Sequence, residues 1–306
     1  MFYPLIKIWV RFALKIFLRK VTIVNPGALE TRGPVLITAN HPNSFLDAII
    51  IGALYKHPIH FLARGDAFNK PWHAKLLGLL QMIPVYRLSE GKENLVLNEQ
   101  AFRKSKEVLS AGGVLLIFIE GICVHKHELQ PFKKGAARIA IDCKEIPGMK
   151  VMPLGLAYDS FTRFGKNISL NFGDPLPVAS LLPYEEETKN MRIMNEILYS
   201  DISTRIQVPA NSANKRKNIF LWLPAQIGFL LHWPLYSFLS SSIAKKTNGT
   251  VFYDSVLFGV LLMIYPVYLL LLATVLCIIK IPALVLFFIL LIHPLTAWSA
   301  VRQRRG

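Results

Sequence analysis

Leu36-Ile-Thr-Ala-Asn40-His41-Pro42-Asn43-Ser44-Phe45-Leu46-Asp47 is the stretch on which the reading of this chain turns. A short apolar run reaches Asn40 as a buried strand would, and Pro42 turns the chain. An amphipathic helix then starts behind Asn43 or Ser44, either of them a favoured N-cap. Asp47 falls in the first turns of that helix. A loop histidine at a strand end, with a carboxylate a few residues on, suits a general base and the partner that orients its ring. The carboxylate fixes the tautomer and stabilises the imidazolium that forms. A surface histidine beside a helix-stabilising aspartate gives the same pattern. No serine or cysteine nucleophile motif accompanies the pair, so the chemistry it points to is direct attack by a substrate hydroxyl, without an acyl-enzyme.

Outward from this stretch, apolar runs bounded by turn residues predict strands over 35–39, 59–63, 114–119, 151–157 and 168–172. Helical stretches over 44–55, 72–80, 94–110 and 134–143 lie between them, and a longer polar helix over 186–206 follows. Strands alternating with helices predict an α/β fold: a mixed, largely parallel sheet flanked by helices. Loops at the carboxyl ends of such strands carry the chemistry. Gly112-Gly113 reads as a helix C-cap before the strand at Val114.

The flanks have a different composition. The chain has 306 residues, 53% hydrophobic and only 18% charged, with 35 Lys+Arg against 19 Asp+Glu. Disorder is excluded by the apolar content, and the basic surplus fits anionic lipid, nucleic acid or an acidic substrate. Nucleic acid lacks any supporting motif. Between 219 and 301 the only charged residues are Lys245, Lys246, Asp254 and Lys280. The uncharged runs 256–279 and 281–300 each reach the ~20 residues a helix needs to cross a bilayer. They predict a transmembrane hairpin turning at Lys280 and Pro282. The run 219–244 is more polar, with Gln226, His232, two prolines and four serines. Basic clusters at Lys215-Arg216-Lys217, Lys245-Lys246 and Arg302, Arg304, Arg305 all lie on one side only if this run stays in the interface or re-enters. At the other end, Lys7, Arg11, Lys15 and Arg19 recur every four residues among apolar ones. They form the charged stripe of an interfacial amphipathic helix, expected to turn toward anionic lipid; an amphipathic helix packed on its own domain gives the same pattern. The expected organisation is therefore an interfacial helix over 1–20, a catalytic domain over 21–210 and a membrane-embedded helical tail over 211–306. The three cysteines, Cys123, Cys143 and Cys277, make neither a disulfide framework nor a zinc pattern. The pairs His57/His60 and His125/His127 lack the clustered carboxylates or thiols of a metal site.

The central segment also resembles a known family, the glycerol-phosphate and 1-acylglycerol-phosphate acyltransferases (PlsC-like). Asn40-His41…Asp47 is similar to the family's first block. Leu80-Gln81-Met82-Ile83-Pro84-Val85-Tyr86-Arg87 resembles its second. Ile117-Phe118-Ile119-Glu120-Gly121, extended by Leu129 to Ala140, resembles its third, and Val151-Met152-Pro153-Leu154-Gly155 its fourth. Two departures stand out. Five residues separate His41 from Asp47 where four are usual. The third block continues Ile122-Cys123 where Thr-Arg is usual, so the arginine that would hold an acceptor phosphate is absent. His125, Lys126 or His127 are candidates to replace it.

The resemblance implies a membrane-bound O-acyltransferase that moves a fatty acyl group from acyl-ACP or acyl-CoA to a hydroxyl of glycerol-3-phosphate or lysophosphatidate. His41 would be the base and Asp47 its orienter. Arg87, Glu120 and Gly121 would bind the acceptor. Arg64 and Lys133 are further candidates for substrate binding. No metal or cofactor is implied beyond the thioester co-substrate. The implied partners are membrane lipids and acyl carrier protein or a coenzyme A thioester, at the cytoplasmic face of the inner membrane. Acylation of another lyso-lipid or an amino-acid lipid, and a catalytically silent lipid-binding protein, stay open as alternatives.

Overall fold

The structure is a computed structural model and describes residues 2–86, 97–210 and 219–303. The apolar runs pair into one sheet whose strands are β1 (Lys20–Val24), β2 (Val35–Ala39), β3 (Ile59–Arg64), β4 (Met82–Val85), β5 (Val114–Phe118), β6 (Lys150–Tyr158), β7 (Asn167–Phe172) and β8 (Leu176–Pro177). Their order is β1–β7–β6–β2–β5–β3–β4, with β8 against β6. Only β6–β7 and β6–β8 are antiparallel. The mixed, largely parallel sheet is the expected one. All five residues of β2 are buried, as in a strand covered on both faces.

Side chains alternate between the two faces with period two. On one face, Ile37, Leu116 and Leu154 pack with Leu46 and Ile50 of α2 (Phe45–Leu54), with Phe17 of α1 (Phe2–Phe17) and with Leu257 and Phe258 of α9 (Tyr253–Ile278). On the other, Leu36, Leu115 and Val151 pack with residues of α4 (Asn98–Ser110), α5 (Gly135–Asp142) and α7 (Glu187–Arg205). Two further helices, α3 (Pro71–Leu79) and α6 (Val178–Leu181), complete this part of the chain. Gly112 has φ +71°, and Gly113 N–H donates to Val108 C=O at 2.8 Å. That is the C-cap read from the sequence.

Two further helices follow. Those formed by α9 and α10 (Ala283–Gln303) are long and apolar enough to cross a membrane. Lys280, at φ 59°, takes the turn between them. The first turn of α9 is buried in the sheet domain, while Leu270, Ile278 and, on α10, Leu284 are two-thirds exposed or more. The hairpin therefore starts inside the domain and leaves it. Val301, near the end of α10, is buried again.

The run that begins at 219 forms one continuous helix, α8 (Ile219–Lys246), through Pro224 and Pro234. Its first half lies antiparallel to α10. A Cβ on Gly228 would sit 2.0 Å from Thr296 O, and the His232 and His293 rings are 4.6 Å apart. Its second half stays on the sheet domain: Leu239 and Ile243 join the core cluster of α2, and Tyr236 packs on Phe164 at 5.0 Å. There is no re-entrant break in it.

The N-terminal helix forms as read, but its basic stripe is used differently. Lys7 donates to the carbonyl oxygens of Tyr55 and Lys56, and Arg11 to those of Ala53 and Leu54. These carbonyls end α2, where a helix carries partial negative charge and unpaired acceptors. Lys7 and Arg11 thus reach protein carbonyls, and apolar Leu5, Ile6, Ile8, Trp9 and Phe12 are exposed together with Arg11 and Lys15. The expectation of a charged stripe turned toward lipid is corrected for Lys7 and Arg11.

Candidate active site

The parallel register sets the site. Ala39 of β2 lies opposite both Phe118 of β5 and Leu154 of β6, so the loops that leave β2 and β5 emerge side by side. Asn40 pins the end of β2 to its neighbour: its amide donates to Leu156 C=O at 2.9 Å and accepts from Leu156 N–H at 2.7 Å. The next residue is His41. Its backbone N–H donates to Glu120 Oε2 at 3.1 Å, and its ring stacks on Phe118 at 3.7 Å and 11°.

His41 Nδ1 lies 2.9 Å from Asp47 Oδ2. Asp47 is fully buried and receives two more donors: Asn43 N–H to Oδ2 at 2.8 Å, and Tyr158 O–H to Oδ1 at 2.6 Å. Burial, and then the Asp47 charge, hold the Tyr158 hydroxyl well above the usual phenol range, so it serves as a donor. Three hydrogen bonds hold this buried carboxylate in place. With Nδ1 donating to Asp47, Nε2 is the ring nitrogen left to accept a proton. Among the described residues no hydrogen bond occupies it, and the His41 side chain keeps 17% of its surface exposed.

Between His41 and Asp47 the chain turns at Ser44. Ser44 has φ 52°, a conformation that L side chains rarely adopt, and its N–H donates to Cys123 Sγ at 2.9 Å. Neither expected residue caps α2. The Ser44 side chain makes no cap bond, and the Asn43 amide donates to Asp254 Oδ2 at 2.8 Å instead. The first-turn N–H of Leu46 is taken by Ser255 Oγ at 3.0 Å.

Glu120 is buried, and each of its oxygens accepts a backbone N–H, one from His41 and one from Gln130 at 3.0 Å. Burial pushes its carboxyl up, against those two amides. Its two oxygens brace the backbone at His41 and Gln130. Gly121 has φ +65°, and a Cβ there would meet Lys133 Cγ at 2.8 Å. Lys133 therefore stands directly over the glycine, with its side chain exposed, before the start of α5. Arg64 ends β3 on the same carboxyl edge of the sheet, and its Nε donates to Asp66 Oδ1 at 3.1 Å. Arg87 lies outside the described residues. Of the three candidates for the missing arginine, His127 Nε2 contacts Tyr158 O at 2.6 Å and His125 stacks on Phe161 at 5.0 Å. Lys126 is exposed.

Sequence reading missed Tyr158, Asp254 and Ser255. A phenol at the end of a buried strand and a lone acid at the head of an apolar run were the available signals. Their partner was not legible, because it lies more than a hundred residues away.

Residues 20–157 match the family model described as Acyltransferase, a stretch that holds His41, Asp47, Glu120 and all four blocks. This stretch is similar to that family. A "Probable 1-acyl-sn-glycerol-3-phosphate acyltransferase" of Mycoplasma pneumoniae is 28% identical over 125 residues, which is 40% of this chain and 44% of that protein. The chain thus matches less than half the length of that relative. The crystal structure of the 1-acyl-sn-glycerophosphate (LPA) acyltransferase PlsC from Thermotoga maritima covers 66% of this chain and 78% of its own, with TM-score 0.49 and 16% identity.

Proposed function

We propose that this protein is a membrane-bound O-acyltransferase of phospholipid synthesis. It moves a fatty acyl group from a thioester, acyl-ACP or acyl-CoA, to a hydroxyl of a glycerolipid precursor, glycerol-3-phosphate or lysophosphatidate. His41 Nε2 takes the hydroxyl proton while Asp47 stabilises the imidazolium. The oxygen attacks the thioester carbonyl, the C–S bond breaks, and the leaving thiolate takes the proton back from the ring. A positioned base contributes about 10²–10⁴-fold, and the remainder comes from holding both substrates together. Exposed Lys133 over Gly121, with Arg64 at the end of β3, supplies cations for an anionic acceptor or donor, and Arg87 is a further candidate from the sequence. The hairpin α9–α10 anchors the domain at the inner membrane, and the sheet domain faces the cytoplasm.

The observation that carries this reading is the His41–Asp47 contact at 2.9 Å, with the aspartate buried and held by two further donors. The test uses the purified full chain in lipid nanodiscs with radiolabelled palmitoyl-CoA or palmitoyl-ACP and the two acceptors. The expected result is a labelled lipid product whose rate falls at least 100-fold in His41→Ala. Equal transfer by the variant and the wild type would overturn the mechanism.

One observation favours a second acceptor class. The third block has Cys123 near the position of the usual arginine, and its Sγ is engaged with Ser44 N–H. A panel including uncharged and zwitterionic lyso-lipids separates the two: preference for an acceptor without a terminal phosphate supports this second reading.

A further inference from the structure

Two residues outside the acyltransferase-family stretch touch the turn that carries the catalytic pair. Asp254 and Ser255 sit in the first turn of α9 and are 0% and 7% exposed. Ser255 Oγ accepts the Leu46 N–H at 3.0 Å and donates to Asn43 C=O at 3.4 Å. Asp254 Oδ2 accepts from the Asn43 side-chain amide at 2.8 Å and from Lys166 Nζ, which is itself fully buried. Asn43 is the residue whose N–H holds Asp47, and Leu46 immediately precedes Asp47.

We propose that the first turn of α9 is the positioning element of the catalytic pair: Asp254 and Ser255 fix the 43–46 turn and thereby hold Asp47 against His41. This rests on the acyl-transfer reading of that pair. The physical case has three parts. The turn contains a residue at φ 52°, so it persists only where its surroundings over-determine it. Its helix has no cap of its own, and Ser255 meets the Leu46 N–H. The Lys166–Asp254 ion pair is buried, an arrangement that adds little net stability but fixes geometry strictly. The same two residues start the helix that leaves the domain as an apolar hairpin, so the placement of the catalytic loop depends on the seating of that hairpin.

The test uses the full chain in nanodiscs as Ser255→Ala, Ser255→Thr and the double variant Asp254→Asn/Lys166→Met, which leaves no buried charge unpaired. Two readouts are taken. One is the downfield proton resonance of the His41 ring N–H, assigned by its loss in His41→Ala and independent of any substrate. The other is kcat and KM with palmitoyl-CoA and 1-oleoyl lysophosphatidate. Ser255→Ala and the double variant are expected to shift the resonance and to lower kcat about tenfold, with KM within about twofold, as for a misplaced group remote from substrate. Ser255→Thr is expected to restore both. An unmoved resonance with kcat within about twofold in both variants overturns the proposal, as does a loss that follows thermal unfolding and is not restored by threonine. If the wild type transfers no acyl group to this acceptor, the resonance alone decides the positioning role, and the acyl-transfer reading fails separately.

Discussion

The two ends of α2 are finished by different means. At its N-terminus the partners are Ser255 and Asp254, short side chains that are almost fully buried and aimed at Leu46 and Asn43. At its C-terminus the partners are Lys7 and Arg11, long side chains lying across the last carbonyls, with Arg11 exposed. Each set matches the sign of the helix dipole at its end. A short buried side chain has few rotamers and sets a position, whereas a long flexible one satisfies acceptors over a range of positions. Positional strictness is thus concentrated at the end that carries Asp47, and the other end is merely neutralised.

This contrast is open to attack by substitution. The largest effect is expected within the N-terminal constellation. Asp47→Asn removes the charge that stabilises the imidazolium, and kcat should fall about 10³-fold or more, with the protein still folded by circular dichroism. Tyr158→Phe leaves Asp47 Oδ1 without a donor and should cost about tenfold in kcat, consistent with losing one charge-assisted hydrogen bond. At the C-terminal end, Arg11→Met should lower stability by about 1 kcal/mol in a denaturant titration and leave kcat within about twofold. A kcat loss as large as that of Ser255→Ala would break the contrast.

The smallest effect is in pH. Burial holds His60 and His125 below the imidazole's ordinary 6.5. Below 6.5 the unfolded chain therefore binds more protons than the folded one, and stability should fall as pH drops through that value. Denaturant midpoints at pH 7.5 and 5.5 should differ less in His125→Gln, whose ring lies in the loop beneath the catalytic turn. An unchanged pH slope would show that this loop does not titrate with the fold.

Much of the frame was legible from residue pattern. The five predicted strands are all present, because their apolar runs are covered on both faces and bounded by turn residues. β1 was not read as a strand: Lys20–Val24 is short, partly exposed and continuous with a basic helix, and only its pairing with β7 makes it one. The order of the catalytic pair was legible too. The groups that hold the turn between them were not, because they are the backbone angle of Ser44 and partners supplied by Cys123, Tyr158 and α9, distant in sequence. Glu120 is where the motif puts it, but its two bonds to the backbone N–H groups of His41 and Gln130 were not legible, because they form only between folded loops. The basic stripe of α1 was visible as a pattern, but a pattern does not say whether phosphate or peptide carbonyl is its counterpart.

The distance along the chain between Leu46 and Ser255, 209 positions, has a temporal consequence. A ribosome making this protein finishes the sheet well before it releases the residue that seats the reactive turn. On the positioning role proposed above, the His41 imidazole is fully aimed only once the start of α9 has been made and has docked on the 43–46 turn.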